Sequence, residues 1–207
     1  VLLIGRDLSP YTRRVAVTLR VLGLAHERLP LATATQQDEI RVYNPLGRVP
    51  ALRLNDGTVL IDSAAILDYL DEQVGPDRAL IPPAGPARRR VLQHCALLTG
   101  AMDKAVIAYY ERTRRPEDKI HQPTVAGNER QVADGLAAAE AERPEGGGWL
   151  LGGSRPTQAD ITAMVTLPFL AIVLPHLVGP GRHPRLEALV ARQGPALPGF
   201  TETDPTP

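Results

Sequence analysis

Three short segments in the first third of the chain carry side chains whose types and spacing suit a small, charged, peptide-like ligand. Ser9-Pro10 is a helix-start signature, with Ser at the N-cap and Pro at the first helical position. A hydroxyl there lies beside unpaired backbone N–H groups and the positive end of the helix dipole. Such a place can hold and stabilise an anion, a thiolate included. In Asn44-Pro45-Leu46-Gly47-Arg48-Val49-Pro50-Ala51-Leu52, a proline just before a strand can take the cis form in a tight turn. That turn leaves the Val49 backbone free to pair with an extended ligand. Asp62-Ser63 opens another helix, where N–H groups and the Ser hydroxyl can take a carboxylate and Asp62 can pair with an ammonium. Each segment alone also fits a plainer role: a simple N-cap at Ser9, an ordinary trans turn at Pro50, plain capping at Asp62-Ser63.

The elements that must position these residues can be read from periodicity. Residues 1–4 form a continuous apolar run that suits a buried strand. The helix opened by Ser9 carries Tyr11, Val15, Thr18, Leu19 and Leu22 on one face and stops at Gly23. A second strand is expected over 26–31 and a short helix over 36–43. Strands near 51–54 and 58–61 flank Asn55-Asp56-Gly57, a hairpin turn signal. The helix from Ser63 turns Ile66, Leu67 and Leu70 inward. Strand, helix, strand, helix, strand, strand, helix within about 75 residues is a compact α/β domain.

Residues 75–87 are rich in Pro and Gly and read as a linker. Beyond it the pattern is helical. Val91, Cys95, Leu98, Met102, Ala105 and Tyr109 recur at three- and four-residue steps. A helix over 124–142 carries a stripe of Val125, Val132, Leu136 and Ala139, and Gly146-Gly147-Gly148 reads as a flexible loop. Thr157-Gln158-Ala159-Asp160 opens an apolar helix, and a last helix is expected near 185–193. The expected division is a first domain over 1–76, a linker over 77–86, an all-helical domain over 87–200 and a disordered tail over 201–207.

Composition excludes several classes. The 207 residues hold 23 Lys plus Arg against 23 Asp plus Glu, whereas nucleic-acid binders carry a basic excess. Arg88-Arg89-Arg90 is the densest basic run and reads as a solvated helix face. No stretch approaches about 18 apolar residues, so neither nucleic acid nor membrane is an expected partner, and a cytoplasmic protein is the default. One cysteine, Cys95, excludes an internal disulfide. The five histidines have no metal-ligand spacing, and phosphate-loop and Rossmann glycine patterns are absent.

In this order and spacing, the segments resemble the glutathione S-transferase superfamily over nearly the whole chain. Ser-Pro-Tyr-x-Arg-Arg-Val from Ser9 is similar to its bacterial serine-type members. Asn44 to Leu52 resembles the segment with the family's cis-proline. Asp62-Ser63-Ala64-Ala65-Ile66 resembles its Glu/Asp-Ser-x-Ala-Ile motif. Thr157-x-x-Asp160 resembles the capping box of its helical domain, and the closing His183-Pro184-x-Leu186 with Phe200 also fits. Ala101-Met102-Asp103 through Pro116 looks most like bacterial serine-type transferases.

The resemblance implies a thioredoxin-like N-terminal domain with a four-stranded mixed sheet, followed by an all-helical C-terminal domain. It implies that Ser9 hydrogen-bonds the glutathione sulfur and stabilises its thiolate for attack on a small, apolar electrophile. Val49 would pair through its backbone with the cysteinyl unit beside cis-Pro50, Asp62 and Ser63 would hold the γ-glutamyl end, and Arg48 would approach the glycine carboxylate. An electrophile site between the domains would draw on Leu8, Tyr11, Met102, Tyr109 and Tyr110. Glutathione would be a co-substrate, with no permanently bound cofactor and no metal, and the protein a homodimer. One departure stands out: many relatives carry a Lys some 13 residues before the Val-Pro pair, where this chain has Thr35 and Gln36. A catalytically weak glutathione-binding or scaffold protein of the same fold is the alternative. A thiol-disulfide oxidoreductase would need Cys at position 9, and Cys95 lies in an apolar stripe where a thiol acts as a small hydrophobe.

Overall fold

The computed structural model describes residues 1–142 and 148–205. It divides into two compact units, Val1–Arg88 with Gly194–Pro207, and Arg89–Gln193.

The first unit is built on β1 (Leu2–Ile4), β2 (Glu27–Leu29), β3 (Ala51–Arg53) and β4 (Val59–Leu60), in the order β2-β1-β3-β4. β1 runs parallel to β2 and antiparallel to β3, and β4 is antiparallel to β3. A parallel pair needs a crossover, here supplied by α1 (Pro10–Val21). The hairpin turn is held by Asp56 Oδ1, which accepts from Thr58 N–H at 2.9 Å. Alternation along β1 separates two cores. Ile4 and Ala51, paired across the strands, pack with Leu31 and with Ile40 of α2 (Gln37–Arg41). Leu3 and Leu52, also paired and fully buried, fall on the other face, where α1 and α3 (Ser63–Val74) pack on the sheet. This is the expected thioredoxin-like architecture.

Residues 77–86 are not a free linker. Asp71 on α3 accepts from the N–H groups of Leu80 at 2.8 Å and Ile81 at 3.0 Å, and Ala79, Leu80 and Ile81 are buried. Arg78 donates to the Leu22 carbonyl. The next helix, α4 (Gly85–Thr113), already begins inside the expected linker.

Residues 194–205 also depart from the expected domain and tail. Thr203 is buried, and Phe200, Thr203 and Asp204 all contact Arg13 of α1. The physical reason is Arg13 itself, 1% exposed: a buried guanidinium must find a counter-charge and acceptors, and these residues supply them. Residues 206–207 lie outside the described residues.

The second unit consists, among the described residues, of helices and turns: α4, α5 (Gln122–Glu140), α6 (Gln158–Val173) and α7 (Pro184–Gln193). The expected stripes are buried, Val91, Cys95, Leu98, Met102 and Ala105 on α4 and Val125, Val132, Leu136 and Ala139 on α5. Tyr109 is only half-buried. Of the expected glycine loop, Gly146 and Gly147 lie outside the described residues. α6 is buried on nearly every side, and its Thr162 and Thr166 hydroxyls donate to carbonyls four residues back at 2.7 Å. Among the described residues, no helix is long and apolar enough to cross a membrane.

Candidate functional site

Within the first unit, a cleft of about 200 Å³ is lined by Tyr11, Asn44, Leu46, Arg48, Val49, Pro50, Ile61, Asp62 and Ser63. Five of the six binding residues expected from sequence therefore meet in one place. Ser9 and Leu8 are not part of that lining, although Ser9 stands two residues before Tyr11.

The floor of the cleft is set by the 44–50 turn. Asn44 is buried and bonds in both directions along it: Nδ2 donates to the Arg48 carbonyl at 2.9 Å and Oδ1 accepts from Leu46 N–H at 3.0 Å. Gly47 has φ +63°, and a Cβ there would collide with the Gln37 side chain. The Val49-Pro50 peptide bond is cis. Sequence reading missed Gly5, at the end of β1 with φ +128°. A Cβ on it would stand 2.5 Å from Thr12 Oγ1 and 2.8 Å from Val49 Cβ, so the bare backbone is what lets the α1 start and the Val49 turn approach each other. Its signal, a glycine closing an apolar strand, is common to many turns.

Two helix starts frame the site. Ser9 is the N-cap of α1, half-buried, and its Oγ accepts from Thr12 N–H at 3.3 Å. With a lone pair so engaged, the hydroxyl proton is available to a second acceptor. The preceding loop is held by Arg28, whose Nη2 donates to Asp7 Oδ1 at 2.6 Å and to the Gly5 carbonyl at 3.3 Å. Asp62, not Ser63, is the N-cap of α3. Its Oδ1 accepts from Ala64 N–H at 2.9 Å, and Ser63 follows as the first helical residue, 4% exposed. The cleft thus presents one cation and one anion, Arg48 and Asp62, both exposed, together with a helix N-terminus. Such a set can hold a zwitterion.

The remaining sequence candidates lie in the second unit. Met102 is fully buried. Tyr109 and Tyr110 are half-buried, with ring centroids 6.1 Å apart, and Arg114 stacks 3.4 Å from the Tyr110 ring. Cys95 is buried, its Sγ 3.7 Å from Thr162 Oγ1. Asp160 caps α6 and does more. Its Oδ2 accepts from both the N–H and the hydroxyl of Thr157 at 2.7 Å, and its Oδ1 takes the Leu150 N–H at 2.5 Å. Burial pushes its carboxyl above the usual value, and these bonds pull it back.

Comparison with known proteins places this geometry. Residues 3–78 match the family model of the glutathione S-transferase N-terminal domain, and residues 122–192 that of the C-terminal domain. A maleylacetoacetate isomerase of Pseudomonas aeruginosa is 33% identical over 166 residues, 75% of this chain and 74% of that protein. The crystal structure of a glutathione S-transferase of Methylobacterium radiotolerans, in complex with glutathione sulfonate, superposes with a TM-score of 0.91. It is 30% identical, over 100% of this chain and 95% of that one. A glutathione S-transferase of Methylobacillus flagellatus with glutathione bound gives a TM-score of 0.89 and 30% identity over 99% of both chains. The match to family models in both halves, and to relatives along nearly the full length, shows that the chain belongs to the glutathione S-transferase superfamily.

Proposed function

We propose that the protein binds glutathione in the cleft of the first unit and uses Ser9 to stabilise its thiolate for attack on a small apolar electrophile. The observation that carries this reading is the convergence of Arg48, Val49, cis-Pro50, Asp62 and Ser63 on one cleft that is also lined by Tyr11, two residues after the helix cap Ser9. The Val49 backbone pairs with the cysteinyl unit. Asp62 takes the γ-glutamyl ammonium, and the α3 start with Ser63 takes its carboxylate. Arg48 serves the glycine carboxylate, in place of the lysine that relatives carry near Thr35 and Gln36.

Catalysis in this reading is thiolate stabilisation and positioning. A free thiol has a pKa of about 8.5, so little glutathione is ionised near neutral pH. One charge-assisted hydrogen bond is worth about 1.5–3 kcal/mol, and about 1.4 kcal/mol lowers a pKa by one. The Ser9 hydroxyl, already accepting from Thr12, is the donor we propose. On the electrophile side Tyr11 lines the cleft. Leu8, half-buried in the loop before Ser9, is a candidate of the same kind, while Tyr109 and Met102 of the second unit are half-buried and fully buried, respectively. The assembly belongs to the same proposal: a homodimer, read by light scattering.

A second reading is favoured by the 33% identity to a maleylacetoacetate isomerase. A thiolate can add to a conjugated double bond, allow rotation and leave again, so glutathione is not consumed. Calorimetric titration with glutathione, followed by a panel of aryl halides, enones and cis-dienoic acids with thiol counted before and after, tests both. Binding with thiol loss supports conjugation, and turnover without thiol loss supports isomerisation. Binding without turnover supports the scaffold alternative, and no binding removes the proposal.

A further inference from the structure

Arg13 is the largest fully buried side chain among the described residues, and its partners lie about 190 positions further along the chain. Nη2 donates to the Phe200 carbonyl at 2.9 Å and to Asp204 Oδ1 at 2.7 Å, Nε reaches Thr203 Oγ1 at 3.4 Å, and Cζ lies 4.5 Å from the Phe200 ring centroid. Thr203 Oγ1 donates onward to the Gly199 carbonyl at 2.7 Å, which closes the loop around the guanidinium. Gly199 has φ +79°, and a Cβ on it would stand 2.6 Å from Arg20 Cγ, so the segment lies flat against α1. Glu202 pairs with Arg20 at 3.6 Å on the surface. Residues 199–204 therefore clasp α1 along nearly two turns, from Arg13 to Arg20.

The clasp reaches the chemistry through the backbone. Arg13 N–H donates to the Ser9 carbonyl at 2.9 Å, one residue after Thr12, whose N–H donates to the Ser9 hydroxyl oxygen. Asp7, in the loop before Ser9, is close enough to favour the Arg13 charge, and Asp204 favours it more, against a burial that disfavours it. The first turn of α1 is thus pinned on both sides of Ser9, by Arg28 through Asp7 and Gly5, and by Arg13 through the C-terminal segment. A catalytic hydroxyl misplaced by about 1 Å loses much of its effect.

We propose that Arg13 is a positioning residue for Ser9, and that the segment 199–204 is part of the thiolate site by holding it. This rests on the reading of Ser9 given above. The loss of the Asp204 charge leaves Arg13 buried with neutral acceptors, and the turn that presents Ser9 then shifts to let the guanidinium reach water. Arg13 touches no reacting atom in this account.

The test uses the full chain, because the Asp204 side chain is 63% exposed and its truncation opens no core cavity. Asp204→Ala, Glu202→Ala and Ser9→Ala are each titrated by ultraviolet absorbance for the thiolate of bound glutathione, with affinity, kcat and melting measured beside it. Asp204→Ala is expected to raise the pKa of bound glutathione by about half a unit, which cuts the thiolate fraction about threefold at pH values well below that pKa, with glutathione affinity little changed. Asp204→Asn, which keeps an acceptor but no charge, falls between it and the wild type, and Glu202→Ala titrates as the wild type. If Asp204→Ala melts earlier but titrates as the wild type, the clasp is only structural and the proposal is overturned. Equal shifts in Asp204→Ala and Glu202→Ala overturn it too, as general loosening of the segment. If Ser9→Ala itself titrates as the wild type, the serine reading fails, and this proposal with it.

Discussion

The start of α6 and the start of α1 share one local signal, a short hydroxyl residue before a helix, and use it in opposite ways. At α6 the capping carboxylate is buried and heavily engaged. Asp160 has no exposed surface and takes three donors, two from Thr157 and one from Leu150. At α1 the Ser9 hydroxyl is half-buried and takes one weak bond from Thr12. α3 resembles α1: the exposed Asp62 caps with one oxygen beside the cleft. A cap whose capacity is spent inside the fold is structural, and a cap with capacity left at a cleft can serve a ligand. The residue types alone do not separate the two.

The largest effect expected from this contrast is on stability. Asp160→Ala leaves the Leu150 and Thr157 N–H groups without their acceptor and should cost about 3 kcal/mol in urea unfolding. Glutathione affinity should stay as in the wild type. A loss below about 0.5 kcal/mol, the low end for an ordinary cap, would break the distinction between the two helix starts.

Ser63→Ala sharpens the other side. In the proposed reading Ser63 holds the remote end of glutathione, and such a contact binds ground and transition states alike. Affinity for glutathione should fall about tenfold, near 1.4 kcal/mol, with kcat at saturation little changed. An unaltered binding isotherm would remove Ser63 from the site. Cys95→Ala has a smaller effect: a loss of about 1 kcal/mol of stability from the vacated core position, with activity kept. Loss of activity would move the chemistry to the second unit.

The pH dependence of Asp160 is a finer test. Burial holds its folded pKa above the unfolded value. The unfolded state therefore ionises first, and the contribution of this carboxyl is greatest below the unfolded pKa and declines as pH rises through the folded one. The stability advantage of wild type over Asp160→Asn should be largest in acid and shrink to a plateau above the carboxylate range. An advantage that grows with pH would mean that the fold favours the ion.

What the sequence disclosed follows from range. Helix starts at Ser9, Asp62 and Thr157, the hairpin at Asn55-Asp56-Gly57 and the stripes on α4 and α5 are signals made by residues a few positions apart, and they reappear within a residue or two. The linker and the tail escape a local reading because their anchors are distant or sit in a neighbouring element. Asp71 holds Leu80 and Ile81 from α3, and Arg13 holds Asp204 across 191 positions. Nothing local marks a Pro-rich stretch as pinned or a polar terminus as a clasp. The residues proposed for binding are named by family resemblance and not by local pattern, because the close approach of Gly5 to Val49 beside their cleft appears only in three dimensions.

The central claim is that the α1 start, not the lone cysteine, handles sulfur. Ultraviolet titration of bound glutathione in Ser9→Ala beside Cys95→Ala tests it most directly. The account predicts that Ser9→Ala moves the thiol back towards the free value of about 8.5 and slows conjugation about tenfold or more, while Cys95→Ala titrates as the wild type. A Ser9→Ala protein that binds and ionises glutathione as the wild type does would contradict it.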